Sequence, residues 1–126
     1  MALTRDFKET IQKRIESDPA FAKALLDEAV ALFLKGDVET ARLVLRDLVN
    51  GTIGFESLAE KTSTPAKSLH RMLSKSGNPG MNNFSAILCA LQEHLKIEIQ
   101  PNIVDLNKAL SKYDKKYGTA FKKLAE

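Results

Sequence analysis

The chain of 126 residues has the length of one domain with a short appendage, and its composition is that of a globular protein. Hydrophobic residues make up 44% and charged residues 28%, which argues against disorder, while the net charge of +3 permits a polyanionic partner without requiring one. The single cysteine excludes an internal disulfide and no apolar run reaches the length of a membrane span, so we expect a cytoplasmic protein with no membrane partner.

The N-terminal part predicts three helices, because apolar residues recur there at helical spacing between cap and turn residues. The predicted ranges are 4–15, 19–35 and 38–49. Asp18 can cap the second helix and Asp37 the third, with Pro19 at a first helical position. We expect the second helix to bury Phe21, Leu25, Ala29, Leu32 and Phe33.

Residues 55–74 predict two short helices joined by a polar turn at 62–64, whose hydroxyl groups compete with the helical backbone. Thr64 can cap the second of these helices, and Pro65 can take its first position, where a missing N–H has no cost. Its apolar stripe is Leu69, Met72 and Leu73. The opposite face is basic and rich in hydrogen-bonding groups, as a DNA recognition helix requires.

The rest of the chain predicts a loop at 76–80, a helix from Met81 to His94, a strand and a last helix from about Val104 to Tyr117. The strand is indicated by strict apolar–polar alternation over 95–100. A lone strand is not stable in water, so we expect it to pair with the same strand of a second copy. The interface residues would be Leu95, Ile97 and Ile99.

About half of the chain, from Val38 to Ile99, resembles the XRE/lambda-repressor-like helix-turn-helix family, and within it the HigA-type addiction-module antitoxins. The motifs that carry the resemblance are FESLAEKT (55–62), SLHRMLS (68–74), GNPG (77–80) and FSAILCAL (84–91). One departure is Ser63, which stands in the turn where the family usually has glycine. A serine there would adopt a left-handed backbone at a cost of roughly 1 kcal/mol.

The resemblance implies an all-α, lambda-repressor-like DNA-binding core. With the elements that the residue patterns predict outside and at the end of this core, the expected fold adds extra N-terminal helices, a short β-strand at about 95–100 and a C-terminal helix. The expected units are N-terminal helices at 1–36 that pack on the core, the helix-turn-helix domain at 37–100, and a helical tail at 101–126. The implied function is a homodimer that represses its own promoter at a palindromic operator and silences a toxin protein.

The expected DNA contacts lie on and around the second helix of the pair: Ser57, Thr64, Ala66, Lys67, Ser68, His70, Arg71, Ser74, Lys75 and Asn78. Arg71 is suited to bidentate contact with guanine, whereas Lys67 and Lys75 are suited to phosphates. Without the surrounding motif, the same charges would be an ordinary solvated helix face.

Two other interpretations stay open: a protein-interaction module that kept the helix-turn-helix shape without reading DNA, and a stand-alone or phage regulator without a toxin. No carboxylate pair or nucleophilic triad stands out, so we do not expect an enzyme. Two histidines and one cysteine are too few for a metal site, and we expect no cofactor. Cys89 is expected to be a small buried hydrophobe.

Overall fold

The computed structural model describes residues 5–106, with side chains from Phe7 onward, and this part of the chain forms six helices and no strand. The helices are α1 (Arg5–Ser17), α2 (Pro19–Leu34), α3 (Val38–Gly51), α4 (Phe55–Thr62), α5 (Ala66–Met72) and α6 (Met81–Leu95). The predicted all-α class is therefore confirmed. None of these helices is long and apolar enough to cross a membrane.

Both predicted aspartate caps are confirmed. The Asp18 carboxylate accepts hydrogen bonds from the backbone N–H groups of Ala20 (3.1 Å) and Phe21 (3.3 Å) at the start of α2. The Asp37 carboxylate accepts one from Thr40 (3.3 Å) at the start of α3. These carboxylates satisfy backbone donors that have no partner inside the helix, and their negative charge suits the helix N-terminus.

A single hydrophobic core joins five of the six helices through fully buried leucines, and α1 adds Ile15 to it. The leucines are Leu26 on α2, Leu45 and Leu48 on α3, Leu58 on α4, Leu69 on α5 and Leu91 on α6. Burial of a leucine stabilises the fold by about 1.5–3 kcal/mol relative to leaving it exposed. Because α1 and α2 pack against α3, the N-terminal helices share this core with the later ones.

The buried face of α2 differs in part from the prediction, which is confirmed at Ala29. The residues that α2 buries fully are Ala22, Leu26 and Ala29, whereas the side chain of Phe33 is 40% exposed. The two alanines have short side chains, so the neighbouring helices can pack closely against this face. Phe21 is only partly buried and lies under the Arg14 guanidinium, 4.5 Å from the ring centroid.

The turn between α4 and α5 has the left-handed backbone at Ser63 that the resemblance implied, with φ 53° and ψ 38°. The N–H groups of Ser63 and Thr64 both donate to the carbonyl of Ala59, which closes α4. The predicted cap at Thr64 is wrong, because its hydroxyl donates to the Thr62 carbonyl (3.1 Å) instead. Helix α5 begins one residue after Pro65, which occupies the cap position without a side-chain hydrogen bond.

The strand predicted at 95–100 is not present in the described chain. Leu95 is the last residue of α6, and Lys96 ends the helix with a left-handed backbone at φ 58°. Ile97 and Ile99 are half-buried against the core of their own chain, so the alternating pattern is explained without a second strand. The Ile99 N–H donates to the side-chain oxygen of Gln92 (2.7 Å) and fixes this segment to α6.

The last predicted helix is not found at its expected start, since residues 101–106 contain no helix. Its remainder lies outside the described residues, as does the Thr4 cap expected at the N-terminus.

Replacing Ser63 with glycine should stabilise the fold by about 1 kcal/mol, because glycine adopts the left-handed backbone without the steric cost of a Cβ. Chemical denaturation measures the change in the free energy of unfolding. Ser85→Gly is the matched control, since Ser85 is exposed within α6, and we expect it to lose about 0.5 kcal/mol. If both variants lost stability alike, the backbone at Ser63 would not be strained.

Candidate nucleic-acid interface

The inner face of α5 fixes this helix to the core. Leu69 is 1% exposed, Leu73, which follows the helix, is fully buried, and Met72 is partly buried against the same cluster. Helix α5 has only seven residues, and a helix of that length is not stable in water by itself. Its conformation therefore depends on these apolar contacts, which also decide which face remains outside.

The outer face of α5 and the turn after it is basic. Lys67, His70, Arg71 and Lys75 are exposed, and Ser68 is half-buried. The nearest polar contact of Arg71 is a long one, 3.4 Å from Nη2 to the Ser68 Oγ. Within residues 5–106, none of these three Lys and Arg side chains forms an ion pair with a carboxylate, so their charges are available to a polyanion.

His70 is held in place by α4. Its ring stacks on that of Phe55, with 3.8 Å between the ring centroids and 21° between the planes. Phe55 is 6% exposed, so one face of the imidazole covers the core while the residue stays exposed at the surface. Sequence reasoning assigned His70 to DNA contact alone and missed this stacking, which positions it.

An arginine from α3 holds the C-terminal end of α5. The Arg42 Nε donates to the Ser74 carbonyl (3.1 Å), and its Nη2 donates to the Lys75 carbonyl (2.7 Å). Both carbonyls belong to the turn just after α5, which ends at Met72, so Arg42 fixes this turn, and a cation near a helix C-terminus is stabilised by the helix dipole. Ser74 adds a hydrogen bond from its hydroxyl to the Arg71 carbonyl (2.7 Å). This last contact uses the hydroxyl that the sequence assigned to DNA.

The loop after α5 approaches the helix end so closely that Gly77 has no room for a side chain. A Cβ at Gly77 would lie 2.3 Å from the carbonyl oxygens of Arg71 and Met72. Both oxygens belong to the backbone, so they cannot rotate away as a side chain would. The close contact with α5 therefore explains the first glycine of the GNPG sequence.

The remaining predicted DNA-contact residues lie at the start of α5 and on the elements around it. Ser57 is exposed in the first turn of α4, Ala66 is half-buried at the start of α5, and Asn78 is exposed in the loop. Thr64 is half-buried in the turn between the two helices. The contiguous basic surface is thus the outer face of α5, with the other residues around it.

One carboxyl group outside α5 has a shifted pKa. Burial raises the pKa of the Asp47 carboxyl on α3, while the charges of Lys8 and Arg46 act in the opposite direction.

Cys89 is exposed, so the expectation that it is buried is wrong. The α6 residues that enter the core are Ile87, Ala90 and Leu91. No group of three His, Cys, Asp or Glu side chains within the described range could hold a metal ion.

No family model, curated protein or solved structure matches this chain. The helix-turn-helix family assignment therefore stays a prediction from sequence motifs, and the function has to be argued from the surface of α5.

Replacing Gly77 with alanine should destabilise the fold by more than about 1 kcal/mol, because the new Cβ would force the α5 carbonyls or the loop to move. Gly80→Ala is the matched control in the same loop. A Cβ at Gly80 would meet no atom within 4 Å, and the φ of −66° there suits any residue, so we expect a change within about 0.5 kcal/mol. Thermal denaturation distinguishes the two, and equal stabilities would contradict the close contact at Gly77.

Proposed function

We propose that this protein is a sequence-specific DNA-binding transcriptional repressor that places α5 in the major groove as its recognition helix. The observation that carries the proposal is the combination of a buried apolar face and an exposed basic face on this short helix. The major groove admits an α-helix, and its base edges are read by side chains such as arginine and serine.

The support at both ends of α5 agrees with this role. Helix α5 starts just after the left-handed turn at Ser63. At its other end, Arg42 binds the turn that follows the helix, and Gly77 packs against the last helical carbonyls. A recognition helix must present its side chains in fixed positions, since a good bidentate contact discriminates bases by about 1–3 kcal/mol only when its geometry is right.

The proposed DNA contacts would fall into two groups, those to base edges and those to phosphates. Arg71 and Ser68 lie one turn apart on the outer face and are suited to base edges. Lys67 and Lys75 lie towards the two ends of α5 and are suited to phosphates, which position the protein without reading sequence. His70, stacked on Phe55, would present its ring edge to the groove.

The proposal includes a homodimer at a palindromic operator and a cytoplasmic, non-catalytic protein. Its two recognition helices would lie about 34 Å apart, one turn of DNA. The role of an antitoxin that binds a toxin and autoregulates its operon is the most specific form of the proposal and is supported by the sequence resemblance alone. An adjacent gene for a small basic protein would support that role.

A protein-interaction module without DNA binding is the second candidate. It is favoured by an apolar surface at the end of α2 and the start of α6, where Leu34 is 73% and Met81 88% exposed. Salt-dependent binding to DNA from upstream of the gene discriminates the two, because counterion release gives DNA binding a steep dependence on salt concentration.

Arg71→Ala should weaken binding to the selected operator by about 1–3 kcal/mol and relax specificity at one base pair, because the arginine reads a base. Lys75→Ala should instead weaken binding to all sequences and lower the salt slope by about one. Fluorescence anisotropy over a salt series measures both quantities. The control is Lys23→Ala on α2, an exposed cation outside the basic face, which should change neither. Unchanged operator binding by Arg71→Ala would refute the recognition role of α5.

A further inference from the structure

His70 differs from the other basic residues on the outer face of α5, because the charge of a histidine depends on pH near neutrality. Lysine and arginine side chains stay positive up to about pH 10, whereas histidine side chains as a class gain or lose their charge between about pH 5 and 8. Of the two histidines in the chain, His70 lies on the basic face of α5 and His94 lies in the last turn of α6. The positive charge that α5 presents to a polyanion therefore depends on the protonation of His70.

The stack on Phe55 leaves the polar edge of the His70 ring available. The ring centroids are 3.8 Å apart and the planes 21° from parallel, so the contact uses one face of the imidazole. The two ring nitrogens lie in the plane of the ring, and within residues 5–106 neither of them forms a hydrogen bond. Because the residue is exposed, this edge can bind an acceptor outside the chain.

No acidic side chain of the described chain forms an ion pair with His70. The charged residues around it are Lys67, Arg71 and Lys75 on and after α5, Glu56, Glu60 and Lys61 on α4, and Arg42, which reaches the turn after α5 from α3. Both glutamates of α4 are exposed, and its lysine pairs with Glu93 of α6. A negatively charged partner for the protonated ring would therefore come from outside this part of the chain.

We propose that His70 binds the operator in its protonated form, so that DNA binding takes up a proton from solvent at each recognition helix and operator affinity depends on pH. The inference rests on the proposed function, because it concerns the regulation of the same DNA-binding surface. In the protonated ring both nitrogens are donors, and they match the acceptors that DNA offers, which are the phosphate oxygens and the N7 and O6 atoms of guanine. The neutral ring has one donor only, and its second nitrogen would face these acceptors with a lone pair.

The direction of the pH dependence follows from the charge of DNA. The duplex carries about one negative charge for each 1.7 Å of its axis, which favours the positive form of a bound imidazole. Coupling between two ligands is reciprocal, so a proton that DNA binding favours must itself favour DNA binding. Affinity is therefore highest at low pH, where the free protein already carries the proton, and falls as the pH rises and the free protein loses it. One proton limits the change to about tenfold for each pH unit and recognition helix.

Phe55 would act as a positioning residue for this contact. It is 6% exposed and belongs to α4, so its ring is fixed by the core, and the stack fixes the plane of the His70 ring in turn. A side chain that is already ordered loses little conformational entropy on binding. The stack thus keeps the donor edge of the imidazole towards the groove before DNA arrives.

Fluorescence anisotropy with a duplex from upstream of the gene, at constant ionic strength between pH 6 and pH 8, tests the inference. The dissociation constant of the wild-type protein should rise at least about threefold over this range. His70→Gln should bind weakly at every pH, and His70→Arg, with a permanent charge, should bind tightly at every pH. His94→Gln is the matched control, since His94 is exposed on α6 outside the basic face, and it should keep the wild-type profile.

Circular dichroism checks that each variant folds. If His70→Gln lost the fold together with the stack on Phe55, His70→Arg would still test the inference, because a guanidinium group also stacks on an aromatic ring.

Calorimetry provides an independent count of the protons. Titrations of the same duplex at pH 7 in two buffers differ in heat by the number of protons exchanged multiplied by the difference in the ionisation enthalpies of the buffers. We expect the wild-type protein and His94→Gln to take up protons on binding, and His70→Gln to take up fewer, by up to about one for each recognition helix.

The outcomes separate the inference from the proposed function. DNA binding that does not change between pH 6 and pH 8, or a pH dependence that His70→Gln retains in full, would overturn the inference and leave the proposed function intact. Absence of DNA binding at every pH, at low salt concentration, would contradict the proposed function and the inference with it.

Discussion

The two hydrogen bonds from the Arg42 guanidinium to the carbonyls of Ser74 and Lys75 tie the turn that follows the seven-residue helix α5 to α3. A helix of two turns has more unpaired end groups than internal hydrogen bonds, so its ends need partners from the rest of the chain. Gly77 adds a contact that excludes any side chain at the same end. The positions of the basic side chains on the outer face follow from this support and from the burial of Leu69.

Local chemistry made much of the fold predictable. The caps at Asp18 and Asp37 depend on residues within one turn of chain, and the six described helices follow from apolar spacing within each segment. The left-handed backbone at Ser63 was expected only from the resemblance, since the family usually has glycine in that turn. The buried face of α2 was mispredicted because apolar residues lie on more than one side of that helix, and only its neighbours decide which side is covered. The strand was mispredicted because alternation also arises where a segment packs on the core of its own chain.

The candidate site was predictable only in part, because local sequence patterns do not show contacts between residues that lie far apart in the chain. The basic face of α5 follows from helical spacing, so the sequence reveals Lys67, Arg71 and Lys75 directly. The bond from Arg42 to Ser74 joins residues 32 positions apart, and no local pattern indicates it. The stack of His70 on Phe55 and the close approach of Gly77 likewise depend on how neighbouring elements meet.

The central proposal is that the outer face of α5 reads DNA sequence, and selection of bound DNA from a random pool tests it most directly. At a salt concentration that suppresses non-specific binding, we expect enrichment of one palindromic sequence with half-sites about 34 Å apart. Loss of that enrichment in Arg71→Ala would assign it to α5. A pool that stays random after repeated rounds, while the protein remains folded, would contradict the proposal.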